Sequence, residues 1–444
     1  MSLDQPHTEE LPGRRAARPS RVRWTVFALV FVIVIVNFID RASLSIAMPL
    51  IAAEFELSPA MQGLILSSFF WTYALAQIPG GWLLDRIGSR RVIAASTGLW
   101  GVFQALAGGA AGGISLLLTR LGLGAAEAPL FPAGAKLNAA WLSPRERARG
   151  ATFLDCGGPL GTALGGLVIA GLIAWLDSWR LAFVAAGVGT IVLGLVAYRM
   201  LRDTPEEHPA VNAAELEHVR RGRADGPAAA AASRERFTAY LGSRSLWAIL
   251  VGRFGWTLIF FGLLTWGPAY LAQTRGLDIK GIGFATFLIF GAGAVGAVVG
   301  GAAADHLINR GVSRTRVLKA MLGVSGVAAI TAFLLLRQAD DVATTLALLS
   351  TAVFFVMWGS LYWTFPPVLA PEGRAGLVGG VMNFAGSCGG IAAPLLIGAL
   401  VQALGSYDVV IGFFVACAVV YLVGSWTIDF TRRLDGAPVE SVRG

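Results

Sequence analysis

The chain has 444 residues, of which 55% are hydrophobic and 14% are charged, and its formal net charge is +8. A soluble chain of this length divides into domains joined by polar linkers, whereas polar sequence is confined here to the N-terminal segment and one segment in the middle. The composition therefore excludes a soluble globular protein and indicates a membrane protein with many spans. Cytoplasmic loops and anionic lipid explain the positive charge, so we expect membrane lipid and no nucleic acid as a partner.

Twelve segments are long and apolar enough to cross a bilayer as helices, which takes about 20 residues each. Strands are excluded as spans because the segments do not alternate polar and apolar residues. We therefore predict an all-α membrane protein with twelve transmembrane helices, at residues 24–50, 61–83, 92–110, 114–140, 151–174, 181–201, 247–271, 281–304, 316–336, 342–369, 377–400 and 408–430.

A short motif recurs in the two halves of the chain. The loop after the second span contains "GGWLLDRIGSRR", with Gly81 and Asp85, and the loop after the eighth span begins with Gly301 and Asp305, 220 residues later. A Gly-x-x-x-Asp motif at the same place in both halves predicts two pseudo-repeated six-helix bundles. Their expected bounds are 24–201 and 247–430, with a cytoplasmic linker at 202–246 and cytoplasmic tails at 1–23 and 431–444.

The basic residues predict the orientation, because cytoplasmic loops hold an excess of Lys and Arg. With the N-terminus inside, 27 of the 35 basic residues fall in inside segments or within four residues of them, so both termini are expected in the cytoplasm. The sequence has no Asn-x-Ser/Thr sequon, which favours a bacterial inner membrane. Its three cysteines have no metal-ligand spacing, and no nucleophile or phosphate motif stands in context, so we expect no enzyme, metal or cofactor.

Charged residues within the first and fourth spans mark the candidate site. In "NFIDRASLSIA", Asn37 and Arg41 share a helical face, while Asp40 points about 100° away from Arg41. Arg120 and Glu127 are two turns apart on the fourth span and share a face as well. We expect the two carboxylates and two guanidiniums to converge in the first half. Static pairing of helices is the alternative, but buried arginine forks suit recognition of a carboxylate.

Other features have simpler interpretations. We place Lys136, Asp155 and Arg253 outside the site, as snorkelling residues or a local pair of Lys136 with Asp155. Trp266 and Tyr270 are expected at the membrane interface. Two consecutive prolines, at 366 and 367, predict a break in the tenth span.

The loop "GGWLLDRIGSRR" resembles the signature of the major facilitator superfamily. Three further stretches, "NFIDRASLSIA", "SFFWTYALAQIP" and "RLGLGAAEAPLFPAGAK", together with the linker piece "HPAVNAAEL", resemble the anion:cation symporter branch of that superfamily. The branch includes bacterial permeases for galactonate, glucarate, hexuronate and phthalate. The similarity covers nearly all of the chain and is weaker in the second half.

This resemblance implies roles for individual residues. Proton coupling would fall on Asp40 and Glu127. Substrate binding would fall on Arg41 and Arg120, with the polar residues Asn37, Tyr73, Ser360, Trp363 and Asn383 lining the site. Gating would fall on the cytoplasmic loop, at Gly81, Asp85, Arg86, Gly88 and Arg90.

We expect a monomeric, proton-coupled symporter that imports an organic carboxylate by alternating access, and a sugar acid (hexonate, hexarate or hexuronate) is favoured. Two departures from the sugar-acid members, Phe38 in place of Tyr and no Gln in "DCGGP" at 155–159, each remove a partner for a hydroxylated ligand. An aromatic or small hydroxy acid such as phthalate therefore stays open as the substrate. A carboxylate sensor of transporter fold that moves nothing is a further alternative.

Overall fold

The computed structural model describes residues 19–143, 146–224, 237–371 and 374–437. All the regular elements in these ranges are helices. The first half contains α1 (Val22–Glu54), α2 (Pro59–Ile87), α3 (Ser89–Gly108), α4 (Gly113–Glu127), α5 (Leu130–Trp141), α6 (Arg147–Leu176) and α7 (Trp179–Met200). After the linker helix α8 (Ala213–Ala224), the second half contains α9 (Arg244–Arg275), α10 (Ile279–Asn309), α11 (Arg314–Leu336), α12 (Val342–Val356), α13 (Phe365–Leu369), α14 (Ala375–Leu404) and α15 (Asp408–Trp426).

The predicted all-α membrane architecture is confirmed. Within the described residues, ten helices or broken helices are long and apolar enough to cross a membrane. The other two predicted spans correspond to α2 and α3, which have 29 and 20 residues. Both are helices of spanning length. Each of the twelve predicted segments therefore coincides with a helix or a broken helix.

Two spans are broken rather than continuous. The predicted break in the tenth span is confirmed: α12 ends at Val356, a 3₁₀ stretch runs through Met357–Thr364, and the prolines occupy the first turn of α13, where no N–H is required. The predicted fourth span corresponds to one candidate membrane span, Gly113–Trp141, but its helix is kinked rather than continuous. It divides into α4 and α5 immediately after Glu127, because Pro129 and Pro132 both lack the N–H that a continuous helix needs.

The two halves meet at one end of the molecule through glycines. A Cβ added to Gly63 of α2 would lie 2.5 Å from the carbonyl oxygen of Pro394 in α14, and one added to Gly166 of α6 would lie 2.5 Å from that of Gly283 in α10. The Ala60 N–H also donates a hydrogen bond to Gln402 Oε1 across this contact, at 3.0 Å. Backbones therefore touch directly at this end. The proposed bounds of the two bundles stay a prediction.

The linker helix α8 is bound to the first half. Glu215, whose side chain is 1% exposed, accepts hydrogen bonds from the backbone N–H groups of Val22 and Arg23 at the start of α1 and forms a salt bridge with Arg23 at 2.8 Å. Arg23 also pairs with Glu146, at 3.1 Å. Burial raises the pKa of Glu146, but hydrogen bonds from Ser143 and the charge of Arg23 hold it below its usual value. The linker helix is thus anchored to the start of α1.

Some sequence expectations fall outside the described residues or are corrected by the structure. Most of the predicted N-terminal tail, at 1–18, and part of the C-terminal tail, at 438–444, lie outside them, as does the side chain of Asp155. Trp266 and Tyr270 are not interface residues, because both rings are buried and Trp266 Nε1 donates to the Pro394 carbonyl at 3.2 Å. Lys136 pairs with Asp85 at 3.0 Å.

Candidate functional site

A buried ion pair joins the first and fourth spans in the first half. Arg41 Nε of α1 donates to Glu127 Oε2 of α4 at 2.8 Å, and the two side chains are 6% and 0% exposed. Glu127 is the last residue of α4, so the break before α5 places it at the end of a helix. The spacing of Asn37 and Arg41 on one helix and of Arg120 and Glu127 on the other is what brings these groups together.

Aromatic rings enclose the Arg41 guanidinium. Its Cζ lies 4.9 Å from the ring centroid of Phe38, 4.6 Å from that of Phe69 and 4.7 Å from that of Tyr73. Arg120 Cζ lies 5.6 Å from the same Phe69 ring, so the two guanidiniums share one aromatic partner. Cation–π contacts stabilise positive charge in a site with little water.

Several polar atoms of this cluster have no hydrogen-bond partner within the described part of the chain. They are Asn37 Nδ2 and Oδ1, Arg41 Nη2, Arg120 Nε and Glu127 Oε1. Arg120 donates no hydrogen bond to any described residue and forms no ion pair with one. Buried polar groups are normally satisfied in folded proteins. Cationic donors without an acceptor indicate a site built to receive an anionic ligand with several hydrogen-bonding groups.

Asp40 does not join this ion pair, which corrects the expected convergence of four charges. It lies on another face of α1, where its carboxylate accepts hydrogen bonds from Trp100 Nε1 of α3 at 3.1 Å and from Thr190 Oγ1 of α7 at 2.9 Å. No described arginine lies within 4.0 Å of it, although the charges of Glu127 and Arg120 act on it over a longer distance. The reason is the 100° step of the helix, which turns Asp40 toward α3 and α7.

The candidate residues of the second half lie on its broken and neighbouring spans. Ser360 and Trp363 belong to the 3₁₀ stretch, and Asn383 lies on α14. Trp363 is 38% exposed, and the Arg253 guanidinium lies 5.4 Å from its ring centroid and 4.3 Å from that of Trp256. Arg253 was placed outside the site, yet its side chain is buried beside a candidate substrate residue rather than snorkelling to a membrane surface.

The loop between α2 and α3 is held by its own half. Asp85 pairs with Lys136 of α5, and Arg86 lies over the Trp82 ring at 5.3 Å. Gly88 ends α2 with a φ of +88°, a conformation that favours glycine. A side chain there would also meet Asp203, whose carboxylate accepts from Arg90 N at 2.9 Å.

Gly81 is not needed for close packing of helices in this conformation. Among the described residues, no neighbouring atom lies within 4 Å of the position that its Cβ would occupy. The gating role of the loop stays a prediction.

Sequence reasoning missed Phe69, Trp100 and Thr190. Phe69 stands in the quoted stretch "SFFWTYALAQIP", but one ring among many apolar residues carries no distinctive signal. Trp100 and Thr190 could have been suspected as polar atoms within apolar spans. Among the described residues, no group of three or more His, Cys, Asp and Glu side chains comes together as a metal site would require.

Comparison with known proteins gives consistent results. Residues 30–394 match the family model of the Major Facilitator Superfamily. The chain is 33% identical over 414 residues to the probable galactarate/D-glucarate transporter GarP of Escherichia coli K12, covering 89% of this chain and 92% of that protein. It is also 33% identical over 400 residues to the D-galactonate transporter of Escherichia coli O6:H1, covering 88% of this chain and 92% of that one.

A solved structure shares the fold. A bacterial homolog of the human lysosomal transporter Spinster, in an inward-facing and unoccupied conformation, superimposes with a TM-score of 0.72 and 19% sequence identity, covering 92% of this chain and 96% of that one.

Proposed function

The chain belongs to the major facilitator superfamily, and from that premise we propose that it imports an organic carboxylate together with protons across a bacterial inner membrane. The observation that carries this proposal is the buried cluster of Arg41, Arg120, Glu127 and Asn37, in which three donor atoms, Asn37 Nδ2, Arg41 Nη2 and Arg120 Nε, have no acceptor among the described residues. A guanidinium donates two parallel hydrogen bonds to a carboxylate and remains charged at every working pH. Arg120 is the first candidate to hold the substrate because it forms no ion pair with any residue that the structure describes.

A sugar acid is the favoured substrate class. The relatives named above carry galactarate, glucarate and galactonate in their names, and these acids combine a carboxylate with a chain of hydroxyl groups. Asn37 and Tyr73 in the first half, and Ser360, Trp363 and Asn383 in the second half, supply amide, hydroxyl and indole groups for those hydroxyls. Both halves of one chain contribute, so a monomer is sufficient.

Phe38 supports a second candidate class. Its ring lies 4.9 Å from the Arg41 guanidinium and offers no hydroxyl to the site. A site with fewer hydrogen-bonding groups binds polyols less well and accepts an aromatic or small hydroxy acid. Phthalate is a suitable probe for that class.

Competition for Arg41 supplies the coupling. In the absence of substrate, Arg41 stabilises the ionised form of Glu127 through their 2.8 Å contact. A substrate carboxylate that engages the guanidiniums weakens that contact, and a buried carboxylate without its cation favours the protonated form. Proton binding and substrate binding therefore promote each other, which is the thermodynamic basis of symport.

The predicted membrane topology implies which state of the transport cycle this structure represents. With both termini in the cytoplasm, the glycine contacts of α2 with α14 and of α6 with α10 lie at the periplasmic end. Closure there corresponds to an inward-facing state. Asp85 and Lys136 then lie on the open cytoplasmic side, where exchange of that pair for contacts with the other half would accompany closure.

The decisive experiment is uptake into proteoliposomes with an imposed inward proton gradient. Labelled galactarate and D-galactonate should accumulate, and phthalate should compete if the second class is correct. A thermal-shift screen of the purified protein against carboxylic acids identifies ligands independently, because a ligand stabilises the state that binds it. Ligand stabilisation without uptake would instead indicate a sensor, and uptake that ignores the proton gradient would contradict coupling.

A further inference from the structure

Asp40 has an unusual environment for a carboxylate deep within a membrane protein. It is 1% exposed, and its two hydrogen-bond donors, Trp100 and Thr190, are 0% and 1% exposed. Both donors contact the same oxygen, Oδ2, at 3.1 Å and 2.9 Å. No described residue donates to Oδ1. The two carboxylate oxygens therefore have different environments.

The Thr190 hydroxyl has two acceptors for its single hydrogen. Thr190 Oγ1 lies 2.9 Å from Asp40 Oδ2 and 3.0 Å from the carbonyl oxygen of Ala186, one turn earlier on α7. When Asp40 is ionised, the Thr190 hydroxyl donates preferentially to the carboxylate, because hydrogen bonds to charged groups are stronger than those to neutral groups. When Asp40 is neutral, the hydrogen can turn to the carbonyl at little cost, because that carbonyl is already in place.

Among the described residues, the charged groups that act on Asp40 from neighbouring helices are both on α4. Glu127 and Arg120 act on it through space, whereas α3 and α7 present the neutral donors Trp100 and Thr190. The substrate competes for Arg41 and Arg120, so it changes the surroundings of Glu127 directly and those of Asp40 only at a distance.

From this arrangement we infer that Trp100 and Thr190 are positioning residues of a proton site at Asp40. Trp100 donates to Oδ2 in both protonation states, Thr190 donates to it when Asp40 is ionised, and Oδ1 is left to carry the proton. The chemical step is reversible protonation: one proton binds Oδ1, and the same proton is later released from it. The inference rests on the proposed proton-coupled transport, and it assigns to that function two residues of α3 and α7 that do not touch the substrate cluster.

A measurable consequence follows from the donors. Both stabilise the ionised form more than the neutral one, so removing either donor makes Asp40 hold its proton to higher pH. If substrate exchange requires a protonated Asp40, the pH at which exchange falls to half its maximum should rise by roughly one unit for each donor removed.

The experiment measures substrate exchange in proteoliposomes at equal pH on both sides, as a function of that pH. Trp100→Phe keeps the ring without the N–H, Thr190→Val keeps the shape without the hydroxyl, and Thr190→Ser restores the hydroxyl. Gln104→Leu is the matched control. Gln104 is buried on α3, as Trp100 is, and it also donates to a residue of α1, but its acceptor is Ser43 Oγ, at 2.9 Å, rather than Asp40.

The expected result is an alkaline shift for Trp100→Phe and Thr190→Val, with Thr190→Ser and Gln104→Leu close to the parent profile. An unshifted profile in Thr190→Val that still exchanges substrate would overturn the assignment, and so would an equal shift in Gln104→Leu. A ligand-induced rise in melting temperature verifies that each variant is folded. The parent protein tests the underlying function separately: if its exchange and accumulation ignore pH and the proton gradient, the coupling proposal fails and this assignment fails with it.

Discussion

Replacing the two arginines of the cluster by glutamine should separate their structural roles from their binding roles. Arg41→Gln removes the cation that lies 2.8 Å from Glu127, and it leaves a fully buried carboxylate without a charged partner. Breaking a buried pair in this way costs about 3–5 kcal/mol. Arg120→Gln breaks no hydrogen bond or ion pair among the described residues and loses a ring contact at 5.6 Å, worth about 0.5–2 kcal/mol.

The cost of burying the Arg120 charge offsets that ring contact, because a buried cation without a partner is itself unfavourable. The ligand-free melting temperature of Arg120→Gln should therefore stay close to that of the parent, while that of Arg41→Gln should fall. Both variants should bind substrate with much lower affinity. Removing one charged partner from a buried contact costs about 2–5 kcal/mol, which is roughly thirtyfold or more in affinity.

Two measurements on each purified variant test this reasoning. Thermal unfolding without ligand gives the stability, and the shift caused by D-galactonate gives the binding, with counterflow in proteoliposomes as the functional measurement. The reasoning is refuted if Arg120→Gln loses as much stability as Arg41→Gln, or if Arg120→Gln keeps the full ligand-induced shift. A loss confined to binding would identify Arg120 as a residue held ready for the substrate.

Further predictions concern coupling, gating, closure and selectivity. Glu127→Gln should still exchange substrate in counterflow but fail to accumulate it, and accumulation driven by a proton gradient in this variant would contradict the mechanism. Asp85→Asn should slow turnover and leave binding within a few-fold, since its pair with Lys136 is exposed and contributes about 0–1 kcal/mol; lost binding with normal turnover would argue against gating. Gly166→Ala places a Cβ 2.5 Å from the carbonyl oxygen of Gly283 and should loosen the contact between the two halves. Labelling of an engineered cysteine from the periplasmic side should therefore increase. Trp363→Ala should change which acids compete while the need for a carboxylate remains, and an unchanged competition profile would exclude it from the site.

The sequence was sufficient to predict the membrane spans, because a run of about 20 apolar residues has few structural alternatives to a membrane helix. It was not sufficient for the break after Glu127. Spans tolerate single prolines, and several lie inside continuous helices of this protein, at Pro49, Pro79, Pro159, Pro268 and Pro394. What differs in the fourth span is a second proline three residues after the first, which removes another backbone donor from the same turn.

The candidate site was predictable in part. Helical spacing placed Arg41 with Asn37 and Arg120 with Glu127, and it turned Asp40 away from Arg41. It could not identify the helices that Asp40 faces, because helix rotation and packing partners depend on tertiary contacts. Trp100 and Thr190 are visible in the sequence as polar atoms within apolar spans, but that pattern does not say which residue they contact. Phe69 was hidden for a different reason: an aromatic residue among apolar neighbours has the same pattern whether it packs in a core or against a guanidinium.

The broken fourth and tenth spans have a kinetic consequence. The same span is interrupted in each half, after Glu127 in one and through Met357–Thr364 in the other. Bending a helix at a point where backbone hydrogen bonds are already missing costs less than bending an intact one. In the proposed transport cycle, we therefore expect the inner parts of these two spans to bend toward each other while the glycine contacts at the far end stay closed. Such bending would produce an occluded intermediate, with both entrances closed around the substrate, before the bundles rotate.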